Sequence, residues 1–326
     1  MASTTLRRTA AVAAGGVVVV LIAVVAVLVT RGGGDPVASP RATSSASPSS
    51  PATTSRPSGP TTGTRFGAAP EGARPDYQAA LVRADQTLGA LQVVRVYYGG
   101  APDPWPGKAP GRNVVVSFKL PPQEVVAGVH DAGMRAWFAA APRDLDVDWV
   151  YQHEPEDDVS KTAFTAAEFR AAFAHLSTLA REVGNPRLQA TLILQSYTLK
   201  PQSKRDWHEF YPGDAAVDIF GWDVYNRPNA ELPYASPEQL MDGPSGVSAS
   251  VGKRFAIGEL GSILAPGDDG SKRADWLRGV GAYVKAHNTV FVAYFDVDFL
   301  RGQGGENDFR LRDPASLQAW REITRA

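Results

Sequence analysis

From residue 65 onward, short apolar runs rich in Val, Ile, Phe and Tyr alternate with stretches in which apolar positions recur every three or four residues. The first pattern fits strands and the second amphipathic helices, so their alternation predicts βα units around a parallel sheet. Strands are expected at 65–68, 92–98, 113–119, 146–153, 188–197, 217–225, 254–260 and 290–296. Helix ends are legible between them. Thr165 with Glu168 forms a capping box, followed by Phe169, Phe173, Leu176, Leu179 and Val183 at helical spacing and a stop at Gly184. Ser236 before Pro237, and Asp313 before Pro314, each pair a capping side chain with a proline at the first helical position. Eight strands in about 260 residues predict an α/β fold, a (β/α)8 TIM barrel over 65–326, whose chemistry sits on the loops after the strand C-termini. An open doubly wound sheet would carry a glycine-rich phosphate turn after its first strand, and none is present.

The first 64 residues follow neither pattern. Residues 1–8 hold Arg7 and Arg8, and 9–30 form an uncharged apolar run long enough to cross a bilayer as a helix. Arg31 and three glycines follow it where a cleaved leader would show a small-residue cleavage site. The expectation is an uncleaved transmembrane signal anchor with a cytoplasmic N-terminus. Residues 31–64 are dominated by Ser, Thr, Pro, Gly and Ala, with too little apolar surface to offset the entropy of ordering, and are read as a disordered linker. The barrel would then stand outside the cell membrane, or be secreted if the leading segment were removed.

Charge and composition narrow the chemistry. The formal net charge is −1, but the first 65 residues hold six arginines and one acid, leaving 27 bases against 33 acids beyond them. An acidic barrel does not suit nucleic acid, which requires clustered Lys and Arg. With no cysteine in the chain, disulfides, thiolate nucleophiles and cysteine-held metals are excluded. No cofactor or metal is expected. The run His153-Glu154-Pro155-Glu156-Asp157 lacks the second histidine of the helical zinc motif H-E-x-x-H, and no G-x-S-x-G nucleophile turn is present.

The barrel says where to look for acids. The fourth strand runs out into Glu154, Glu156, Asp157 and Asp158, and Glu259 is a lone acid inside the apolar seventh strand Phe255-Ala256-Ile257-Gly258-Glu259-Leu260-Gly261. A carboxylate there is costly to bury without partners, and Arg95 in the second strand is an obvious structural partner for it. Two carboxyl groups facing each other across a barrel mouth match the needs of glycosidic cleavage: one holds a proton for the leaving oxygen, the other attacks or stabilises the anomeric carbon. Glu156 competes with Glu154 for the acid role. Trp105, Trp222 and Tyr294 are candidates for stacking on sugar rings, and Tyr197 and Lys119 end strands at the same mouth without a role. The loop acids Asp268, Asp269, Asp296 and Asp298 are read as solvated, with calcium binding as the alternative.

Glutamates ending strands four and seven resemble the pattern of clan A glycoside hydrolases, retaining TIM-barrel enzymes. His153 before Glu154 resembles glycoside hydrolase family 26, which contains mannanases and some enzymes acting on xylan or mixed-linkage glucan. The resemblance implies Glu154 as acid/base, Glu259 as nucleophile and Tyr225, ending strand six, as a hydrogen-bond donor to Glu259. Arg95 and Tyr225 would keep Glu259 ionised, and His153 would orient Glu154 or bind the sugar beside the cleaved bond. The expected partner is a polysaccharide, β-mannan first and β-glucan or xylan next. Two places depart from the family: Pro155-Glu156-Asp157-Asp158 stands where mannanases carry a tryptophan, and Tyr294-Phe295 stands where strand eight commonly carries a tryptophan platform. The non-enzymatic alternative is a polysaccharide-binding protein on a decayed barrel, which would have lost one strand-end glutamate; neither is missing.

Overall fold

The computed structural model describes residues 62–70, 77–298 and 307–325, all within the second of two compact units, 55–326. The expected transmembrane run 9–30 and nearly all of the linker lie outside the described residues. Among the described residues, no helix is long and apolar enough to cross a membrane.

All eight expected strands form. β1 (Arg65–Pro70), β2 (Val93–Tyr97), β3 (Val114–Phe118), β4 (Val147–Tyr151), β5 (Leu188–Gln195), β6 (Ile219–Asn226), β7 (Arg254–Ser262) and β8 (Phe291–Asp296) pair in sequence order. Every pairing is parallel, and β8 closes on β1 with Phe66 opposite Val292 and Ala68 opposite Tyr294. The alternation of strand side chains then sorts residues into two cores. Val93, Val115, Val150, Ile193, Ile219, Ala256 and Phe291 form an apolar layer inside the barrel. Their neighbours one position along, among them Val94, Val116, Trp149, Leu192, Phe220 and Val292, face outward under the helices in the larger core.

The helices are α1 (Tyr77–Leu88), α2 (Pro122–Val126), α3 (Asp131–Ala139), α4 (Pro155–Ser160), α5 (Ala166–Glu182), α6 (Pro237–Ser250), α7 (Ser271–Ala286) and α8 (Pro314–Arg325). The capping signals act as expected. At α5 the Glu168 amide donates to Thr165 Oγ1 at 3.2 Å while the Thr165 amide donates to Glu168 Oε2 at 2.7 Å, and Phe169, Phe173, Leu176 and Leu179 fall on the buried face. Trp149 of β4 lies 5.3 Å from Phe173 and 5.4 Å from Phe138, ring centre to ring centre; removing one such ring costs about 3–5 kcal/mol. Ser236 caps α6 in a second capping box, and Asp313 accepts from the Ser316 amide at the start of α8.

The alternation is incomplete in two places. No α-helix follows β2 or β5; the first connection is a loop and the second a set of 3₁₀ turns at Ser196–Leu199, Pro201–Ser203 and Trp207–Glu209. The β2 loop covers the barrel with its own side chains instead. Trp105 stacks on Trp137 of α3 at 4.8 Å, and each indole N–H is anchored across the contact, Trp105 to the Trp137 carbonyl and Trp137 to the Asp103 carbonyl.

The end of the barrel opposite the strand C-termini is closed by charge. Arg65 donates to Asp148 at 2.8 Å and lies 3.4 Å from Asp146, which also holds Arg187 at 2.7 Å. Arg65, Asp146 and Asp148 are buried, so removing any one would leave an uncompensated ion in the interior.

Candidate active site

The two glutamates reach the mouth by different local devices. β4 ends at Tyr151, two residues before its expected end, because Gln152 and Glu154 both adopt left-handed backbone at φ 51°. This region is unfavourable for residues with a Cβ and costs on the order of 1–3 kcal/mol each. Gln152 is held there by its amide donating to the Leu120 carbonyl at 2.8 Å, and Glu154 opens the six-residue α4 with its side chain partly exposed. On β7, strict alternation from the inward Ala256 would turn Glu259 outward. Instead the β6–β7 register shifts, with Trp222 opposite Ile257 but Asp223 opposite Glu259. The extra residue is Gly258, and this bulge turns Glu259 into the barrel. A Cβ on Gly258 would lie 2.6 Å from Asp223 Oδ1, and one on Gly261 would lie 2.7 Å from the Tyr225 ring, so both glycines make room for the residues around Glu259.

Glu259 is buried and accepts two phenolic hydrogen bonds: from Tyr97 of β2 to Oε1 at 2.6 Å and from Tyr225 of β6 to Oε2. Burial, and then the Glu259 charge, push the hydroxyls of Tyr97 and Tyr225 well above the usual tyrosine range, so both remain donors. Glu154, Asp223 and Glu259 each place a carboxyl oxygen within 4.8 Å of the others. Burial, Glu259 and the neighbouring Glu156 and Asp157 raise Glu154 to about 8, with the Gln195 side chain opposing. Asp223, fully buried with neither oxygen hydrogen-bonded, is pushed well above the carboxylate range by burial, Glu259 and Glu154, with Arg95 opposing.

Arg95 lies beneath this group. Its guanidinium sits 4.7 Å from the centre of the Tyr97 ring, and no guanidinium nitrogen has a hydrogen-bond partner. Burial opposes its charge, but Tyr97, Asp223 and Glu259 outweigh it and raise its pKa above the usual arginine value. Its influence on Glu259 is therefore one of charge, without the direct ion pair that a structural role would have. This cation beside the three carboxyl groups offsets part of their mutual repulsion.

Of the residues singled out in sequence, Glu154, Glu259, His153, Tyr225 and Arg95 meet at the mouth. The His153 ring packs edge-on against Tyr97 at 5.1 Å, and burial, then Lys119 and Arg95, lower its pKa well below the usual histidine value, leaving it neutral. Two aromatic candidates for sugar stacking, Trp222 and Tyr294, go elsewhere and are corrected. Trp222 faces outward, fully buried, stacked on Phe220 at 4.8 Å and donating to Ser248 Oγ. Tyr294 also faces outward, its hydroxyl donating to the Phe309 carbonyl at 2.8 Å and its ring against Trp320. Neither ring has a face left for a sugar, while Trp105, in the β2 loop, is half-buried with one face on Trp137. Phe295, one residue beyond Tyr294, faces the mouth edge-on to Tyr225 at 5.9 Å.

Glu156 is buried and accepts from the Gln195 amide at 2.9 Å and the Thr198 hydroxyl at 2.7 Å; burial raises it to about 7. Lys119 pairs with Asp158 at 2.6 Å. The loop acids considered for calcium have protein partners: Asp268 accepts from the amides of Gly270, Lys272 and Arg273, Asp296 from the Leu311 amide and Arg312, and Asp298 pairs with Arg310.

Tyr97, Asp223, Gln195 and Phe295 carry no role in the sequence reading. A signal for three of them was present: if Arg95 and Tyr225 face the mouth, so do Tyr97 and Asp223, each two residues away on the same strand, and Phe295 follows from the outward Tyr294.

The sequence matches no family model and no curated protein. Solved structures share the fold. A glycoside hydrolase family 26 β-mannanase from Bacteroides ovatus aligns at 15% identity and a TM-score of 0.50, over 81% of this chain and 89% of that one. A modular endo-β-1,4-mannanase from Cellulomonas fimi aligns at 16% identity and 0.50, over 81% and 71%. A fungal β-1,4-galactanase aligns at 11% identity and 0.52, over 80% and 99%. The chain thus resembles family 26 mannanases and other glycoside hydrolases in fold, and the function rests on the site.

Proposed function

We propose that the chain is a retaining glycoside hydrolase that cleaves a β-linked polysaccharide, with Glu259 as nucleophile and Glu154 as acid and base. The observation carrying this reading is a carboxyl oxygen of Glu154 within 4.8 Å of one of Glu259, whose two oxygens each accept from a tyrosine. Retaining enzymes hold their carboxyl groups about 5–5.5 Å apart, whereas inverting ones leave about 6.5–9.5 Å for a water. Glu259 attacks the anomeric carbon, the bond to the leaving oxygen breaks, and that oxygen takes the proton of Glu154. Water then attacks the same carbon, gives its proton to Glu154, and the bond to Glu259 breaks. Two inversions return the original configuration. Arg95 and Asp223 surround the nucleophile.

Mannan is the first substrate to try, because family 26 mannanases share the fold and His153 precedes Glu154 as in that family. The apolar run 9–30 and the Ser/Thr/Pro-rich stretch after it support a barrel tethered outside the cell membrane. The test is incubation with β-mannan, mixed-linkage β-glucan, xylan and β-1,4-galactan, following new reducing ends and the anomeric proton of the first product by NMR. Release of β-anomer is expected from one of them. Initial α-anomer would overturn retention, and binding without release would favour a non-catalytic polysaccharide-binding protein.

Tyr97→Phe removes one of the two donors to Glu259. A hydrogen bond to a charged group contributes about 1.5–3 kcal/mol, so kcat/KM should fall roughly ten- to a hundred-fold. A variant as active as the parent in initial-rate assays would show that Tyr225 alone holds the nucleophile.

A further inference from the structure

Beside the acid/base lies a polar pair that the mechanism above leaves unused. Gln195 ends β5 directly opposite Asp223, which in turn lies opposite Glu259, so the three share one level of the barrel. Both ends of Gln195 are held by the segment that follows Glu154 or by what that segment binds. Its backbone N–H donates to Glu156 Oε1 at 2.9 Å. Its side-chain oxygen accepts from Arg205 Nη1 at 2.6 Å, and Arg205 Nη2 donates to Asp157 Oδ1 at 2.7 Å. An amide has one accepting and one donating end. With the oxygen taken by a guanidinium, the NH2 is the end left beside the Glu154 carboxyl, an oxygen of which lies within 4.8 Å of Asp223 directly across from Gln195.

The geometry points to Arg205 and Gln195 as a positioning pair for Glu154: the Arg205 fork fixes which way the Gln195 amide faces, so that its NH2 is always presented to the Glu154 carboxyl group. Neither residue exchanges protons with substrate. A fixed donor favours the ionised form of Glu154, against Glu259 on β7, Asp223 on β6 and Glu156 and Asp157 on α4, all of which disfavour it. Of the cations nearby, Arg95 on β2 faces Tyr97, Asp223 and Glu259, and Lys119, just after β3, is paired with Asp158. Gln195 is thus the neutral group that tempers the acid, so that Glu154 can give up its proton in one step and hold the resulting charge until the next. That catalytic meaning rests on the reading of Glu154 as acid and base; the positioning itself does not.

The test follows the Glu154 carboxyl directly, by 13C NMR of the full chain labelled at glutamate side-chain carboxyl carbons and assigned with Glu154→Gln. Gln195→Leu and Arg205→Met should each move the Glu154 midpoint upward by about half a pH unit or more, the scale of losing one hydrogen bond to a charged form. The double variant should move it no further than Gln195→Leu alone, since Arg205 acts through the amide. Additive shifts would show Arg205 acting by its charge, and an unmoved midpoint in Gln195→Leu would show no contact; either overturns the proposal. Gln195→Met and Arg205→Gln serve if a first variant unfolds, as judged by circular dichroism. Shifts as expected in a chain that releases sugar from no glycan would leave the pair standing and remove the hydrolase reading instead.

Discussion

Glu259→Gln should lower turnover by about four orders of magnitude or more, the scale on which loss of a covalent nucleophile is felt. The substitution keeps size and shape, and the site can absorb it, since the amide oxygen still accepts from one tyrosine and the amide N–H₂ can donate to the other. Removing the Glu259 charge also relieves Glu154 and Asp223, both of which it pushes upward. The variant should therefore fold as well as the parent while the glycosyl-enzyme bond cannot form. Initial rates on the polysaccharide that the parent cleaves are the measurement; more than a tenth of the parent rate would remove Glu259 from the nucleophile role.

The second large effect is on pH. In the first step Glu154 must hold a proton, and it loses that proton as the pH passes about 8. The kcat/KM profile should therefore fall on its alkaline side near that value, because the free enzyme's acid is being titrated away. Glu154→Gln should abolish that limb and lower turnover of unactivated glycan by about a hundred- to ten-thousand-fold. It should leave the first step intact on an aryl glycoside whose leaving group needs no proton. Glu156 is raised too, to about 7, but one of its oxygens is occupied by the Gln195 amide and the Thr198 hydroxyl, and it is buried away from the mouth. Glu156→Gln should keep the alkaline limb; its disappearance in that variant would transfer the acid role from Glu154.

The barrel was legible because strand composition and helix caps are local signals, and all eight strands and the caps at Thr165, Ser236 and Asp313 appear where those signals lie. The missing helices after β2 and β5 were not, since the loop that replaces the first is fixed by a contact between Trp105 and Trp137, thirty-two positions apart. Within the site, residue types pointed to Glu154 and Glu259, but their directions depend on departures from regular strand geometry. Left-handed backbone at Gln152 and Glu154 shortens β4, and the bulge at Gly258 turns Glu259 inward; neither is written in a period-two pattern. Where the strand is regular, alternation alone would have served: Trp222 and Tyr294 face outward because Asp223 and Phe295 face inward. The parity of a position decides whether an aromatic ring can reach a sugar, and at both positions it points the ring into the outer core.

The crowding of carboxyl groups at the mouth also ties folding to acidity. Glu154 and Glu156 hold their protons up to about 8 and about 7 in the folded chain, against an ordinary 4.5. Between those limits the native state binds more protons than the unfolded one, so stability declines as pH rises. Their contribution is complete below about 4.5 and gone once the pH has passed about 8. Thermal midpoints measured at pH 5 and pH 9 should favour the acidic sample, and the gap should narrow when both residues become glutamine; an unchanged gap would place the proton uptake elsewhere. The acid group that equips the barrel for catalysis is, in mildly alkaline surroundings, the part of the fold that works against its own cohesion.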